Sequence, residues 1–503
     1  MQQQDQIAKY LLNCEKDGSA GVYSDKEIQM QLKDCNIYVI SDLHIGEGIQ
    51  ENFNYTGTEN FFADSSFQRF IQFLNSNKNK TNAALIINGD FIDFMRISSF
   101  PNFDYEFENW KNDLSLIGIN KMQEELKNSI NDKEKKYGLK TNDYKSVWKL
   151  KRVITGHPEV FNALADWLKK GNKIIILKGN HDLEFFWLAV RNYLRLFFAK
   201  KICNNDLEVE KTLDDLIFSN LIFIDDGLLI NNEFYIEHGH KFDRYTYSVD
   251  GPLLENKNEL NIPFGSFFNR YLLNRIELLY PFFDNIRPTA NILPILLRER
   301  FFLGLRVLIQ HVPFMILIIP KKYYRYMFRK FLTTVLALLA PIVLFVVISW
   351  DFISPLFSGS NPAKESTGIF GLILEQGTNL LGNLGTLFLS YLFARIAAYF
   401  QLEEPSSLSN FGEEIFAKRP DLKIMTVGHT HNPDQFFKNN KKFFNTGTWI
   451  PIVETSSAEI RQDKTYTFLN VDSDIEGNLK VLPLQRWNDD ACRADFIELI
   501  DKN

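Results

Sequence analysis

Short apolar runs punctuate this chain. At 37–40 (Ile-Tyr-Val-Ile), 83–87 (Ala-Ala-Leu-Ile-Ile), 174–177 (Ile-Ile-Ile-Leu), 234–236 (Phe-Tyr-Ile) and 423–427 (Lys-Ile-Met-Thr-Val) they have strand length and strand composition. Between them the rhythm turns helical. Phe67, Phe70, Ile71 and Leu74 share one helix face, and 158–170 is amphipathic, opened by Pro158 and closed by Gly171. Further strands are predicted at 221–224, 228–237 and 443–444, a helix near 411–418, and hairpin signals at 465–471 and 479–482. Strand–helix–strand alternation predicts an α/β core.

Each of the five runs ends in residues that can bind a metal. Asp42 and His44 follow the first, Asp90 the second, Asn180 and His181 the third, His238 the fourth, and His429 and His431 the last. The carboxyl ends of strands are where ligands collect in open α/β sheets. Two imidazoles one residue apart in Gly428-His429-Thr430-His431 suit two neighbouring metal ions better than one. Asp, His and Asn donors together favour Mn, Fe or Zn over Ca or Mg, which prefer all-oxygen surroundings.

The length of 503 residues exceeds a single compact core, so several units are expected. We place a peripheral segment at 1–35, an α/β domain in two parts at 36–240 and 406–503, and a helical insert at 241–405. A net charge of −6 gives no general basic footprint, so nucleic acid is not an expected partner. Cys14, Cys35, Cys203 and Cys492 lie far apart without a CxxC spacing and read as reduced thiols of a cytosolic environment. The polar start, Met1-Gln2-Gln3-Gln4-Asp5, carries no secretory signal.

The insert is rich in Phe, Leu and Ile with basic residues interspersed. Residues 331–350 are twenty positions without a charge, about the length of a helix that crosses a bilayer. Residues 376–394 form a second uncharged run, and the basic–aromatic stretch 321–330 fits a headgroup boundary. The expectation is a transmembrane hairpin, with 307–320 lying in the interface and the Phe-rich 264–283 facing lipid. Candidate ligands lie on both sides of the insert, so the number of spans must be even. The positive-inside rule then puts both α/β parts in the cytoplasm.

Asp42-x-His44, Gly89-Asp90, Gly179-Asn180-His181-Asp182, His238 and Gly428-His429-x-His431, in this order, resemble the motifs of the calcineurin-like metallophosphoesterases. The resemblance covers about 36–240 and 406–485. It implies a β-sandwich flanked by helices (αββα) with two divalent cations at its rim. Asp42, His44 and His431 would hold the first, Asn180, His238 and His429 the second, and Asp90 would bridge them. It further implies hydrolysis of a phosphate ester or pyrophosphate by in-line attack of a hydroxide between the metals. His181 would then assist the leaving group, with Asp182 orienting its ring. Asp93 is a candidate supporting carboxylate. His240 and Arg244 are candidates for contacting the substrate, and His157 introduces the helix that begins at Pro158.

Within the family the chain is similar to bacterial UDP-2,3-diacylglucosamine pyrophosphohydrolases, which also carry a helical insertion before the final GHxH. Those enzymes commonly have Arg where this chain has His181. The His form is that of general phosphoesterases. With the apolar insert beside the site, the expectation is a phosphoesterase at the bacterial inner membrane, with Mn the leading metal, acting on a phosphate-bearing lipid. Two alternatives remain open: the same chemistry on a soluble nucleotide or phosphoprotein with the insert only an anchor, and a membrane scaffold with a structural metal centre.

Overall fold

This computed structural model describes residues 7–11, 27–278, 286–287, 302, 306 and 408–499, apart from 33, 50–53, 56–57, 204–207, 244–245, 249–250, 455–458, 461 and 474–477. The chain forms two compact units, Met1–Arg287 with Pro405–Asn503, and Pro288–Glu404. Both groups of candidate ligands belong to the first.

That unit is a mixed α/β fold. Its strands are, in order, β1 (Ile28–Met30), β2 (Cys35–Ile40), β3 (Asn82–Asn88), β4 (Lys173–Leu177), β5 (Leu221–Ile224), β6 (Leu228–Ile230), β7 (Phe234–Ile236) and β8 (Ile286–Arg287). After the insert come β9 (Ile424–Val427), β10 (Asp434–Lys438), β11 (Lys441–Asn445), β12 (Val453–Glu454), β13 (Glu459–Ile460), β14 (Thr467–Ser473), β15 (Leu479–Val481), β16 (Gln485–Asn488) and β17 (Arg493–Phe496). The larger sheet runs β17-β16-β14-β2-β3-β4-β5, with β15 paired to β14; the second runs β1-β6-β7-β9-β11-β10. A small ribbon, β13-β12-β8, stands apart.

β2, β3, β4 and β5 are mutually parallel, so their carboxyl ends share one edge. In the second sheet β7, β9 and β11 are parallel as well. One core joins the sheets: Ile37, Val39, Ile86, Ile175 and Ile224 on one side meet Leu228, Ile230, Phe234, Ile236 and Ile424 on the other. Because strand side chains alternate between faces, Tyr38, Ile40, Leu85, Ile87, Ile174 and Ile176 turn outward beneath helices. Helix Asp64–Asn77 covers them with Phe67, Phe70, Ile71 and Leu74. Helix Pro158–Lys169 adds Phe161, Leu164, Trp167 and Leu168. Its Trp167 Nε1 donates to Lys173 O at 2.8 Å, pinning the helix to the start of β4. On the far side of the second sheet, Met425, Val427 and Phe443 pack against Leu408, Phe411 and Phe416 of helix Leu408–Lys418.

The single strand expected at 228–237 is a hairpin. Asn231 and Asn232 adopt φ of 51° and 62°, and Asn439 and Asn440 repeat the arrangement (50° and 61°) between β10 and β11. Positive φ at both central residues is what a two-residue hairpin turn demands, and Asn tolerates it best among residues with a Cβ.

The transmembrane hairpin is corrected. Among the described residues no helix is long and apolar enough to cross a membrane. Helix Leu188–Ile202 has only 15 residues and carries Arg191, Arg195, Lys200 and Lys201. Within the expected insert, the described helical segments Phe264–Phe268, Asn269–Leu273 (a π-turn) and Asn274–Glu277 follow one another without a break but have only 5, 5 and 4 residues. Freedom from charge is only half of the requirement, because a span must also fold as one helix of about 20 residues. The runs 331–350 and 376–394, and the expected interfacial segment 307–320, lie outside the described residues.

Candidate metal centre

The parallel order β2-β3-β4 sets three loops side by side, and β7 and β9 bring two more against them. Asp42 N donates to Gly89 O at 3.1 Å and His44 N to Asp90 O at 2.9 Å, locking the first loop to the second. His181 N donates to Asp90 Oδ1 at 2.8 Å, which ties in the third. Gly428 N donates to His238 O at 2.9 Å, and His429 N reaches Asp42 Oδ2 at 3.0 Å, bridging the two sheets.

The backbone is strained where these side chains leave it. Asp42, His44, Asp90, His429 and His431 have φ of 54°, 47°, 52°, 72° and 58°. Left-handed conformations at residues with a Cβ cost about 1–3 kcal/mol each and persist where the surroundings over-determine them, commonly at functional sites. Two glycines make the approach possible. A Cβ at Gly179 would stand 2.1 Å from Asp90 Oδ1, and one at Gly428 would stand 2.5 Å from Asp42 Oδ2.

Three overlapping groups have ligand atoms close enough to hold a metal ion: Asp42, His44 and His431; His44, Asp90 and His181; and Asp90, His238 and His429. In the first, His44 Nε2 and His431 Nε2 stand 2.9 Å apart, and Asp42 Oδ1 lies 3.7 and 3.4 Å from them. Ligands on one tetrahedral cation with bonds of about 2.0–2.1 Å sit roughly 3.3 Å from one another. In the third, His238 Nδ1 donates to Asn88 O at 2.8 Å, turning Nε2 inward to within 3.1 Å of Asp90 Oδ2. That approach lacks hydrogen-bond alignment, and Nε2 is buried without a hydrogen-bond partner, as is Asn180 Oδ1. A buried imidazole nitrogen lacking a partner beside a carboxylate fits a cation, because such atoms are otherwise paired.

The field has the matching sign. Burial opposes charging the imidazoles, yet Asp42, Asp93 and Asp90 raise His44 to about 10. Asp90 and Asp42 likewise raise His238 to about 9. Burial pushes the carboxyl groups of Asp42 and Asp90 upward, but the surrounding histidines hold both well below the usual carboxylate range. A pocket that draws protons this strongly also attracts a metal cation.

Asp93 is the residue that sequence reasoning undervalued. Fully buried, its Oδ2 accepts from His44 Nδ1 at 3.1 Å and from His181 Nδ1 at 2.8 Å. This holds both rings through Nδ1 and leaves Nε2 as the nitrogen of each that can serve a metal or a substrate. Asp182, expected to orient His181, accepts instead from Gly179 N at 2.6 Å and Phe91 N at 2.9 Å, so it shapes the loop rather than the ring. The one available signal was the spacing of Asp90 and Asp93 after β3, which puts two carboxylates in one loop.

His240 is buried outside the three groups, its ring centroid 5.5 Å from that of His238 and 6.1 Å from that of Tyr247. Arg244 lies outside the described residues. Thr246 Oγ1 at 3.4 Å and Asp243 Oδ2 at 3.6 Å flank His429 Nε2. His157 belongs to none of the three groups and is buried between Glu59 and Asp64. No family model, curated protein or solved structure matches the chain.

Proposed function

We propose that this protein is a metal-dependent phosphoester hydrolase of the calcineurin-like type. Asp42, His44 and His431 would hold one divalent cation, and Asn180, His238 and His429 a second, with Asp90 between them and manganese the leading metal. The observation that carries the reading is the position of Asp90. Its Oδ2 lies 3.5 Å from His44 Nε2 and 3.1 Å from His238 Nε2, within reach of both clusters.

A pair of divalent cations held there would supply charge for phosphate oxygens and acidity for the attacking water. The chain's own residues supply orientation and a proton. His44 has only Nε2 to offer, since Nδ1 is held by Asp93. Once His44 serves Asp42 and His431, His181 is left outside the ligand set, with Asp93 on its Nδ1. Its side chain is 14 % exposed, against 12 % for His431, 4 % for His44 and 0 % for His238, which leaves it partly open to solvent. In this reading its Nε2 would give a proton to the departing oxygen of an ester. No side-chain nucleophile is required.

The test is hydrolysis by the full chain with MnCl2 of a panel holding a phospholipid, a nucleotide and an aryl phosphate, beside Asp90→Ala. We expect turnover of at least one ester, abolished in a variant that keeps its near-ultraviolet circular dichroism. Full activity in Asp90→Ala, or two bound cations without hydrolysis of any ester, would sink the reading. The panel also separates a lipid-linked substrate from a soluble one.

A further inference from the structure

The segment that follows His238 returns to the centre from outside the motifs. Ser266 Oγ donates to Asn180 O at 3.3 Å, and Asn274 Nδ2 donates to Met95 O at 2.7 Å. Arg270 Nη2 donates to Gly138 O at 2.7 Å and Leu139 O at 2.6 Å. Residues 266–277 are thereby fastened beside two of the ligand-bearing loops.

At the end of this segment stands a chain of buried charges. Arg96 Nε donates to Asp93 Oδ2 at 3.1 Å, while Arg96 Nη1 donates to Glu277 Oε2 and, at 3.2 Å, to Thr58 O. The three side chains are 2 %, 0 % and 1 % exposed for Arg96, Asp93 and Glu277. One oxygen, Asp93 Oδ2, thus faces Arg96 as well as the rings of His44 and His181. Where the guanidinium sits decides how much of that oxygen remains for the two imidazoles. At its far end the guanidinium is held by the Glu277 carboxylate together with Thr58 O.

We propose that Glu277 is a positioning residue for the metal centre, acting through Arg96 on Asp93 and so on His44 and His181. The inference rests on the metal-centre reading above and deepens it. Two effects point the same way when the Glu277 charge is removed. Arg96 keeps Asp93 and Thr58 O but loses the ionic part of its outer contact, so its balance shifts towards Asp93. Its positive charge, no longer shared with Glu277, bears more heavily on Asp93 and on the cation sites in a low-dielectric interior, where charge interactions are weakly screened. Both weaken cation binding with every ligand still in place. Partners behind the ligands commonly set metal affinity to within 10–100-fold; Glu277 acts one residue further out, at the lower end of that range.

The experiment is a double-mutant cycle on the full chain: wild type, Glu277→Gln, Arg96→Met and the double variant. Mn2+ binding is read by calorimetry, and kcat and KM on the best ester of the panel are read beside it. Removing one buried charge strands the other, so each variant's folding is checked by near-ultraviolet circular dichroism without metal; the double variant removes both charges together. We expect Glu277→Gln to weaken Mn2+ binding about tenfold and lower kcat more than it raises KM. In the Arg96→Met background the same change should have almost no further effect on Mn2+ binding, because the relay is already cut. A Glu277→Gln protein with wild-type affinity, or equal losses in both backgrounds, overturns the inference. So does a Glu277→Gln protein that fails to fold if the double variant folds and binds Mn2+ as wild type does. A wild-type protein that takes up no Mn2+ overturns the metal-centre reading together with it. Uptake of two ions without hydrolysis overturns only the enzymatic reading, and the cycle is still decided by affinity.

Discussion

His157 offers a test of the electrostatics away from the ligands. Its ring is fully buried, with Nδ1 at 2.9 Å from Asp64 Oδ1 and Nε2 at 3.2 Å from Glu59 Oε2. Burial disfavours the charged ring, but the two carboxylates prevail and raise His157 to about 9. The histidine therefore clamps Glu59, whose carboxylate also accepts the amides of Gly46 at 3.2 Å and Gly48 at 2.6 Å in the loop that leaves His44. Unfolded, the ring titrates near about 6.5. Its contribution to stability is full below that value and is lost as pH rises through about 9. Between those limits the folded state holds one extra proton, and the loss is about 1.4 kcal/mol per pH unit, or about 3 kcal/mol in all.

The perturbation is His157→Gln, and the assay is urea unfolding of both proteins, free of metal, from about pH 6 to about pH 10. His44 and His238 also titrate high, but they are present in both proteins and cancel in the difference. The gap in unfolding free energy should be widest at the acid end and narrow by about 3 kcal/mol towards the alkaline end. Two curves that run parallel across the whole range would show that the folded protein does not hold His157 charged, and the argument from its carboxylate partners would be refuted.

Two further outcomes follow from the centre itself. Asp93→Asn should weaken Mn2+ uptake about 10–100-fold while leaving every ligand in place; calorimetry giving an unchanged affinity would deny Asp93 its hold on His44 and His181. Gly179→Ala should reduce Mn2+ stoichiometry at the Asp90 site, because the added methyl would stand 2.1 Å from Asp90 Oδ1; metal analysis showing full occupancy would mean that the loop yields freely.

Some of this was legible along the chain because it is local. Helix Asp64–Asn77 buries the four residues whose spacing marks its face. The helix expected over 158–170 spans Pro158–Lys169, since Pro at the first turn and Gly after the last act within a few residues. The five apolar runs are strands, and each carries its candidate ligands just past its end. The turns at Asn231-Asn232 and Asn439-Asn440 were also written locally, but asparagine pairs are a weaker signal than Asn-Gly and went unread.

What the linear pattern could not contain is which loop meets which. The order β2-β3-β4 and the pairing of β7 with β9 put Asp42 beside His431, 389 positions away, and made Asp93 rather than Asp182 the carboxylate on His181. The relay from Glu277 to Arg96 spans 181 positions and follows no spacing rule. The hairpin inferred from uncharged runs finds no support among the described residues, where no helix is long and apolar enough to cross a membrane. Hydrophobic periodicity is a property of neighbours in sequence, and it sets elements. Convergence is a property of neighbours in space, and only the packed sheets supply it.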